Sequence, residues 1–297
     1  AFARFAPAPM QDQRLGLVRR QARQLGPEAV EQREAAFAAA PVKVDVRYLH
    51  PQQYHNPIEM LSTTVDFVDG KILVMEGTQN SGTVKAGLTT MLGLEPDRLE
   101  VSSPYVGGGF GQKNSIQQQT ALTVRAAMLL ARPVKLVMPR DQLFHTTRHR
   151  PLSLHRMRIG AEADGTMNAV LYDTEQENSR YDQYGGAHGE HPSRMYATPN
   201  WRSTHCRIRV DTQAVAHQRA PHEHPASYAT ECAYDELAFA LGVDPLALRL
   251  MNDAQTDPIT GGPYTSRRLA ECLRRGAVRF GWERWTPQTR ARRTANG

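Results

Sequence analysis

Two Asp-Gly pairs, Asp69-Gly70 and Asp164-Gly165, each stand between apolar runs, and no other feature constrains the fold as tightly. Residues 63–68 and 71–76 flank the first pair, and residues 155–160 and 167–174 flank the second. Asp-Gly supplies the positive φ angles of a tight two-residue turn, so each pair predicts a β-hairpin. Residues 42–48 alternate with period two and predict a further strand, as do residues 99–102 and 204–210. Residues 133–138 read as a strand of the buried type.

Helical patterns cover about 83–92, 115–130, 226–241 and 266–280. Gly93 and Gly242 stop the first and third, and Asp244 caps a short helix that begins at Pro245. The helices fall between hairpins rather than between every pair of strands. That order predicts an α+β fold with hairpin-rich mixed sheets and packed helices, not a doubly wound parallel sheet. Residues 1–40 are interrupted by Pro7, Pro9, Gly26 and Pro27 and read as a linker or incomplete N-terminal segment. Residues 41–285 read as the main domain and 286–297 as a basic tail.

The chain of 297 residues, 40% apolar and 22% charged, can bury a large core, which excludes disorder along its whole length. No run approaches the 18 or so apolar residues of a membrane-spanning helix, so no span is expected. The N-terminus lacks both Met and a signal-peptide layout, which predicts processing or a longer parent. Cys206, Cys232 and Cys272 stand far apart without Cys-x-x-Cys. That excludes a zinc ribbon, an iron–sulfur ligand set and a disulfide scaffold, and it predicts small core residues. The net charge of +6 is local: residues 267–297 hold nine Arg against Glu271 and Glu283. A basic stretch whose stacking aromatics are Trp282 and Trp285 and little else does not predict nucleic-acid binding. The last helix carries an apolar stripe of Leu269, Leu273 and Ala277 flanked by arginines, a pattern suited to an interface with missing protein. Phe280 and Trp282 are expected to be covered; the alternative is a solvated helix followed by a disordered tail.

The segment Val106-Gly-Gly-Gly-Phe-Gly-Gln-Lys113 is the most unusual in the chain. So many glycines cost conformational entropy, which makes sense where the backbone must approach a group closely or present N–H donors as an anion nest. The Walker loop is excluded because Gln112 precedes Lys113 and Asn114 follows it. The glycine spacing also fails the dinucleotide fingerprint. Gln79, in Gly77-Thr78-Gln79-Asn80, follows a hairpin strand and has both donors and an acceptor to offer a ligand. Arg219, before Pro221, sits between a strand and a helix where it can grip an anion. His222 and His224, with His188 and His191, raise metal ligation, although nothing in the sequence fixes their geometry. Asp235-Glu236 and Glu175/Glu177 read as solvated faces rather than a catalytic dyad.

In order along the chain stand His55-Asn-Pro-Ile-Glu59, Gly77-Thr-Gln79, Val106 to Lys113, Arg132-Pro-Val-Lys135 and Asp164-Gly165. Tyr196-Ala-Thr-Pro-Asn200, Arg219-Ala-Pro221, Asp235-Glu-Leu-Ala238 and Asp244-Pro245 follow. Together, over about residues 36–285, they resemble the molybdenum-binding subunit of the xanthine dehydrogenase/aldehyde oxidase family, most closely the bacterial aldehyde-oxidising type. The resemblance implies a molybdenum–molybdopterin cofactor, often in the cytosine dinucleotide form. It implies hydroxylation of aldehydes or N-heterocycles with water as oxygen source. Electrons would pass to iron–sulfur and FAD centres on partner subunits. Gln79 would hydrogen-bond an oxo ligand of molybdenum, Gly108, Gly109, Phe110 and Gly111 would line metal and pterin, and Arg219 would lie beside the cofactor.

Departures from the family pattern carry information. His222 replaces the Gly of Arg-Ala-Pro-Gly, which predicts a shifted loop if that Gly needs φ > 0. Met60 stands where the motif around His55 usually ends in Pro. Asn114 stands where purine oxidisers carry a substrate-binding Glu, which argues against purines. The family's general-base glutamate belongs to a C-terminal half that this chain lacks, so no catalytic residue and no protein metal ligand is expected here. The same resemblance makes that missing half a partner, together with the iron–sulfur and FAD subunits, in the bacterial cytoplasm or periplasm. The alternative is a remnant or split-gene product that serves as scaffold or assembly partner.

Overall fold

The structure, a computed structural model, describes residues 17–19, 26–181, 184–186 and 188–287. In chain order β1 (Leu17–Arg19), α1 (Pro27–Ala39), β2 (Val42–His50), β3 (Ser62–Val68) and β4 (Lys71–Glu76) come first. Next are α2 (Ser81–Leu92), β5 (Leu99–Ser102), α3 (Gln118–Leu130), β6 (Val134–Val137) and α4 (Arg140–Thr146). Then follow β7 (Ser153–Ala161), β8 (Met167–Ser179), α5 (Pro192–Met195) and β9 (Asn200–Val210). The helices α6 (Glu223–Leu241), α7 (Pro245–Met251) and α8 (Leu269–Phe280) complete the order.

The strands form two mixed sheets, ordered β5-β4-β3-β6 and β1-β9-β8-β7-β2. β4–β5 and β8–β9 are parallel pairs, and the other neighbours are antiparallel. The expected hairpin-rich mixed sheets with packed helices are therefore present. Asp69 and Gly70 both take positive φ, 51° and 74°, and close β3 onto β4 with Val68 opposite Lys71. The second pair works differently from the expected two-residue turn. Only Gly165 takes positive φ, 96°, within a longer loop in which Glu162 N–H donates to the Thr166 carbonyl.

Each sheet has its own apolar core. Val65, Val74 and Leu99 pack against Val84 and Leu88 of α2 and Val124 and Ala127 of α3. Met157, Ile159, Val170 and Tyr172 pack against Ala226, Ala229, Ala233 and Leu237 of α6 and Leu248 of α7. Small alanines on α6 let the helix lie close to the sheet, and each large side chain so buried contributes about 1.5–3 kcal/mol.

Several local expectations are corrected. β6 is an edge strand that alternates half-buried and exposed residues, not a buried strand. Residues 176–193 are not one loop: β8 runs on to Ser179 because β9 pairs along its whole length, and α5 occupies the end. Inside the 1–40 segment, Pro27 starts α1 rather than interrupting it, since the first turn of a helix needs no N–H. Arg33 ties that helix to the Trp201 carbonyl, and Glu34 pairs with Arg158. α3 begins three residues later than expected, after a 3-10 turn over Gln112–Asn114. Cys272 is exposed and Cys206 and Cys232 are half-buried, so none is a full core residue. α8 packs on α7, with Leu269 against the second core and Leu273 and Ala277 half-buried, but Phe280 is 77% exposed. Trp282 is half-buried and donates its indole N–H to Asp244. Residues 288–297 of the basic tail lie outside the described residues.

Candidate functional site

The site begins where β4 ends. The Glu76 carboxylate is buried under that end and accepts the hydroxyls of Thr63 and Thr120; burial pushes its pKa above the ordinary carboxylate range. The chain then turns through Gly77 and Thr78 to Gln79. Thr78 donates its hydroxyl, and Gln79 its N–H, to the Lys113 carbonyl at 3.0 and 2.8 Å. These bonds lock the strand end against the far end of the glycine-rich loop. Asn80 accepts from Thr83 N–H and starts α2.

The loop is strongly bent: Gly108, Phe110 and Gly111 take φ of 100°, 53° and 100°. Gly107 N–H donates to Glu59 Oε2 and Gly111 N–H to Gln79 Oε1, at 2.6 and 2.8 Å. Among the described residues the N–H groups of Gly108, Gly109 and Phe110 have no acceptor. A Cβ at Gly111 would meet backbone, and one at Gly109 would displace the Gln79 side chain. A Cβ on Gly109 would fall 2.3 Å from Gln79 Oε1, and one on Gly111 2.5 Å from the His217 carbonyl oxygen.

The third segment is 217–221. Arg219 N–H donates to the Phe110 carbonyl at 2.9 Å, and the Arg219 guanidinium lies 6.0 Å from the centre of the Phe110 ring. His55 Nε2 donates to the His217 carbonyl at 2.6 Å. Gln79, Gly108, Gly109, Phe110, Gly111 and Arg219 therefore lie in adjoining segments, with Gln79, Phe110 and Arg219 on the exposed side. His222 sits at φ −111°, an ordinary value; the positive φ of this turn falls on Ala220, at 56°. The loop thus accommodates His222 without the strain that its replacement of Gly raises.

Two partners of the site carry no assigned role in the sequence. Glu59, at the end of the His55 motif, receives both Gly107 N–H and the ammonium of Lys113, which is 1% exposed. The Glu59 side chain also fills the space over Gly77 and Gly107, where a Cβ would fall within 2.6 Å of it. Arg150 lies behind residues 218–221.

The histidines raised as metal ligands pack against one another instead. His188 lies 5.2 Å from His155, 5.4 Å from His205 and 5.3 Å from His222, while His224 meets His50. Burial pushes His155 down to about 3, His50 and His205 to about 4, and His188 well below the usual imidazole range, so all four are neutral. His191 and His222 line a cleft of about 330 Å³ with Arg194, Tyr264 and Arg267. Among the described residues no group of three or more His, Cys, Asp or Glu can hold a metal ion. Asp235 pairs with Arg249, Glu236 accepts from Tyr48, and Glu177 accepts from Gln52 and Leu152, so these carboxylates are structural.

Comparison with known proteins gives the family. Residues 20–253 match the family described as molybdopterin cofactor-binding domain. The aldehyde oxidoreductase molybdenum-binding subunit PaoC of Escherichia coli K12 is 34% identical over 255 residues, 84% of this chain and 34% of that protein. The putative xanthine dehydrogenase molybdenum-binding subunit XdhA of the same strain is 26% identical over 254 residues, 83% of this chain and 34% of that protein. Among solved structures, aldehyde oxidoreductase from Desulfovibrio gigas superimposes with a TM-score of 0.75 at 26% identity, over 92% of this chain and 30% of that one. CO dehydrogenase from Oligotropha carboxidovorans has the same fold, with a TM-score of 0.77 at 20% identity over 91% of this chain and 34% of that one.

The chain belongs to the molybdopterin cofactor-binding domains found in molybdenum-binding subunits of the xanthine dehydrogenase/aldehyde oxidoreductase family. It spans about a third of the length of these relatives. No helix among the described residues is long and apolar enough to cross a membrane.

Proposed function

We propose that this chain is the cofactor-holding portion of an oxidoreductase that hydroxylates aldehydes or N-heterocycles with water as oxygen source. The observation that carries the reading is the convergence of Gln79 with a bent loop whose Gly108, Gly109 and Phe110 N–H groups lack acceptors. Bare backbone donors in such a bend favour an anionic group. The Gln79 carboxamide oxygen is already engaged by Gly111 N–H, which leaves its amide N–H bonds as donors toward oxygen. These residues fit a cofactor that carries oxygen and negative charge.

Gln79 would donate to an oxygen ligand of molybdenum, the 108–111 backbone would hold metal and pterin, and Arg219 would grip an anionic part of the cofactor. The bound group supplies the redox chemistry, and the protein supplies position and electrostatics. Asn114 and the likeness to an aldehyde oxidoreductase subunit favour aldehydes over purines. The reading extends to the cytosine dinucleotide form of molybdopterin and to electron transfer to iron–sulfur and FAD partner subunits, in the bacterial cytoplasm or periplasm. No residue of this chain is assigned as the base, which belongs to the larger assembly.

The test is the molybdenum and pterin content of the holoenzyme, with Gly109→Val as probe. The added side chain displaces Gln79, so molybdenum per chain should fall at least tenfold while the fold survives. Full molybdenum occupancy in a folded Gly109→Val protein refutes the assignment.

A further inference from the structure

Arg150, between α4 and β7, is 2% exposed, although arginine is among the residues least often buried. Its guanidinium donates to the carbonyls of Gln218, Arg219, Ala220 and Pro221 at 2.8, 2.6, 2.9 and 3.0 Å. It also donates to Gln218 Oε1, at 2.8 Å from Nε. Four consecutive carbonyls thus turn inward onto one cation. Within this bend Ala220 takes the left-handed conformation, at φ 56°.

No carboxylate forms an ion pair with Arg150 among the described residues. Glu223 and Tyr184 act on it only through space, and burial lowers its pKa from the ordinary guanidinium value. His50, His55, His222 and His224 all feel its charge and all have lowered pKa values, so the imidazoles around it are neutral at physiological pH, and Glu223 supplies a charge only through space. The carbonyl dipoles supply the compensation in direct contact. A planar fork of five N–H bonds can satisfy so many acceptors at once, whereas a lysine ammonium has three donors on a point charge.

The loop so gathered is the one that faces the glycine-rich bend. Arg219 and Ala220 are exposed, and Arg219 reaches the Phe110 carbonyl through its N–H. Apolar burial does not hold this turn; Arg150 does. We propose that Arg150 is a positioning residue for the cofactor site: it fixes the 218–221 turn and thereby sets Arg219 against the Phe110 loop. The proposal rests on the cofactor reading above.

The experiment compares Arg150→Lys and Arg150→Met with the wild-type holoenzyme. The readouts are molybdenum per chain and amide hydrogen exchange at 216–222, 153–161 and 167–179. Both variants should lose molybdenum at least tenfold and exchange at least tenfold faster at 216–222, with β7 and β8 unchanged. In an Arg150→Ala variant, guanidinium ion at a sub-denaturing concentration should restore protection of the turn, which a general packing defect would not allow. Unchanged exchange at 216–222, or loss of protection spread equally through β7 and β8, overturns the positioning role. A slowly exchanging turn in wild type that loosens in both variants, in a protein that never contains molybdenum, would refute the cofactor reading and leave the turn-holding role standing.

Discussion

Removing the Glu59 carboxylate should cost far more than removing the Lys113 ammonium, although the two form one pair. Lys113 is 1% exposed, while the Glu59 side chain is 29% exposed. Glu59→Ala leaves a buried cation without its partner and strips Gly107 N–H of its acceptor. Breaking a buried pair from that side typically costs about 3–5 kcal/mol. Lys113→Met instead leaves a carboxylate that still accepts from Gly107 and still touches water, at a cost of about 1–2 kcal/mol. The double variant removes the stranded charge, so it should be more stable than the single effects predict, by about 1–3 kcal/mol of coupling. Urea unfolding of the four proteins measures all three quantities with one probe. Equal costs for the two single variants, or coupling below about 0.5 kcal/mol, would refute the view that Glu59 exists to accommodate Lys113 beneath the loop.

Two further outcomes are expected. Acid should weaken the fold between pH 6.5 and about 4, because His155, His50 and His205 stay neutral when folded but protonate when unfolded. Each contributes up to about 1.4 kcal/mol per pH unit, and stability rises with pH in that window; a His155→Asn protein with an unchanged slope of unfolding free energy against pH would count against this. Gly160→Ala, conservative by strand propensity, should destabilise by about 1–3 kcal/mol, since the new Cβ would lie 2.6 Å from Ala40 Cβ under α1; thermal unfolding at or above the wild-type midpoint would show that α1 yields freely.

The parts of the fold legible in the sequence are those set by neighbours along the chain. Asp69-Gly70 forces its turn locally, and α6 announces itself through small and apolar residues at helical spacing ended by Gly242. Gln79 and the glycines stand out because glycine runs are costly, and the resemblance carried by the order of motifs proposes them for a cofactor. What stayed hidden depends on distant segments. Arg150 looks like one more arginine beside Arg148, and its acceptors lie 68 to 71 residues away. Glu59 and Lys113 are 54 residues apart. The histidines resemble a ligand set until their packing against one another is seen. Pro27 reads as a breaker or as a helix start with equal ease, and only the docking of α1 on the second sheet decides.

The site is assembled from both halves of the molecule, and this explains why polar groups rather than apolar burial hold it. Gln79 and the glycine-rich loop belong to the four-stranded sheet and its connections, while 217–221 links β9 to α6 on the five-stranded sheet. Each sheet completes its own apolar core, so neither core fixes the distance between the loops that meet. That distance is set by Arg219 N–H on the Phe110 carbonyl, His55 on the His217 carbonyl and the tight fit of Gly111 against His217. Directional bonds of this kind hold exposed backbone in one geometry, which a site for a rigid cofactor needs and hydrophobic contact does not provide. It follows that loops and cores are separable by mutation: changes at Gly109 or Arg150 should loosen the site while both sheets stay protected, and changes at Gly160 or in α6 should do the reverse.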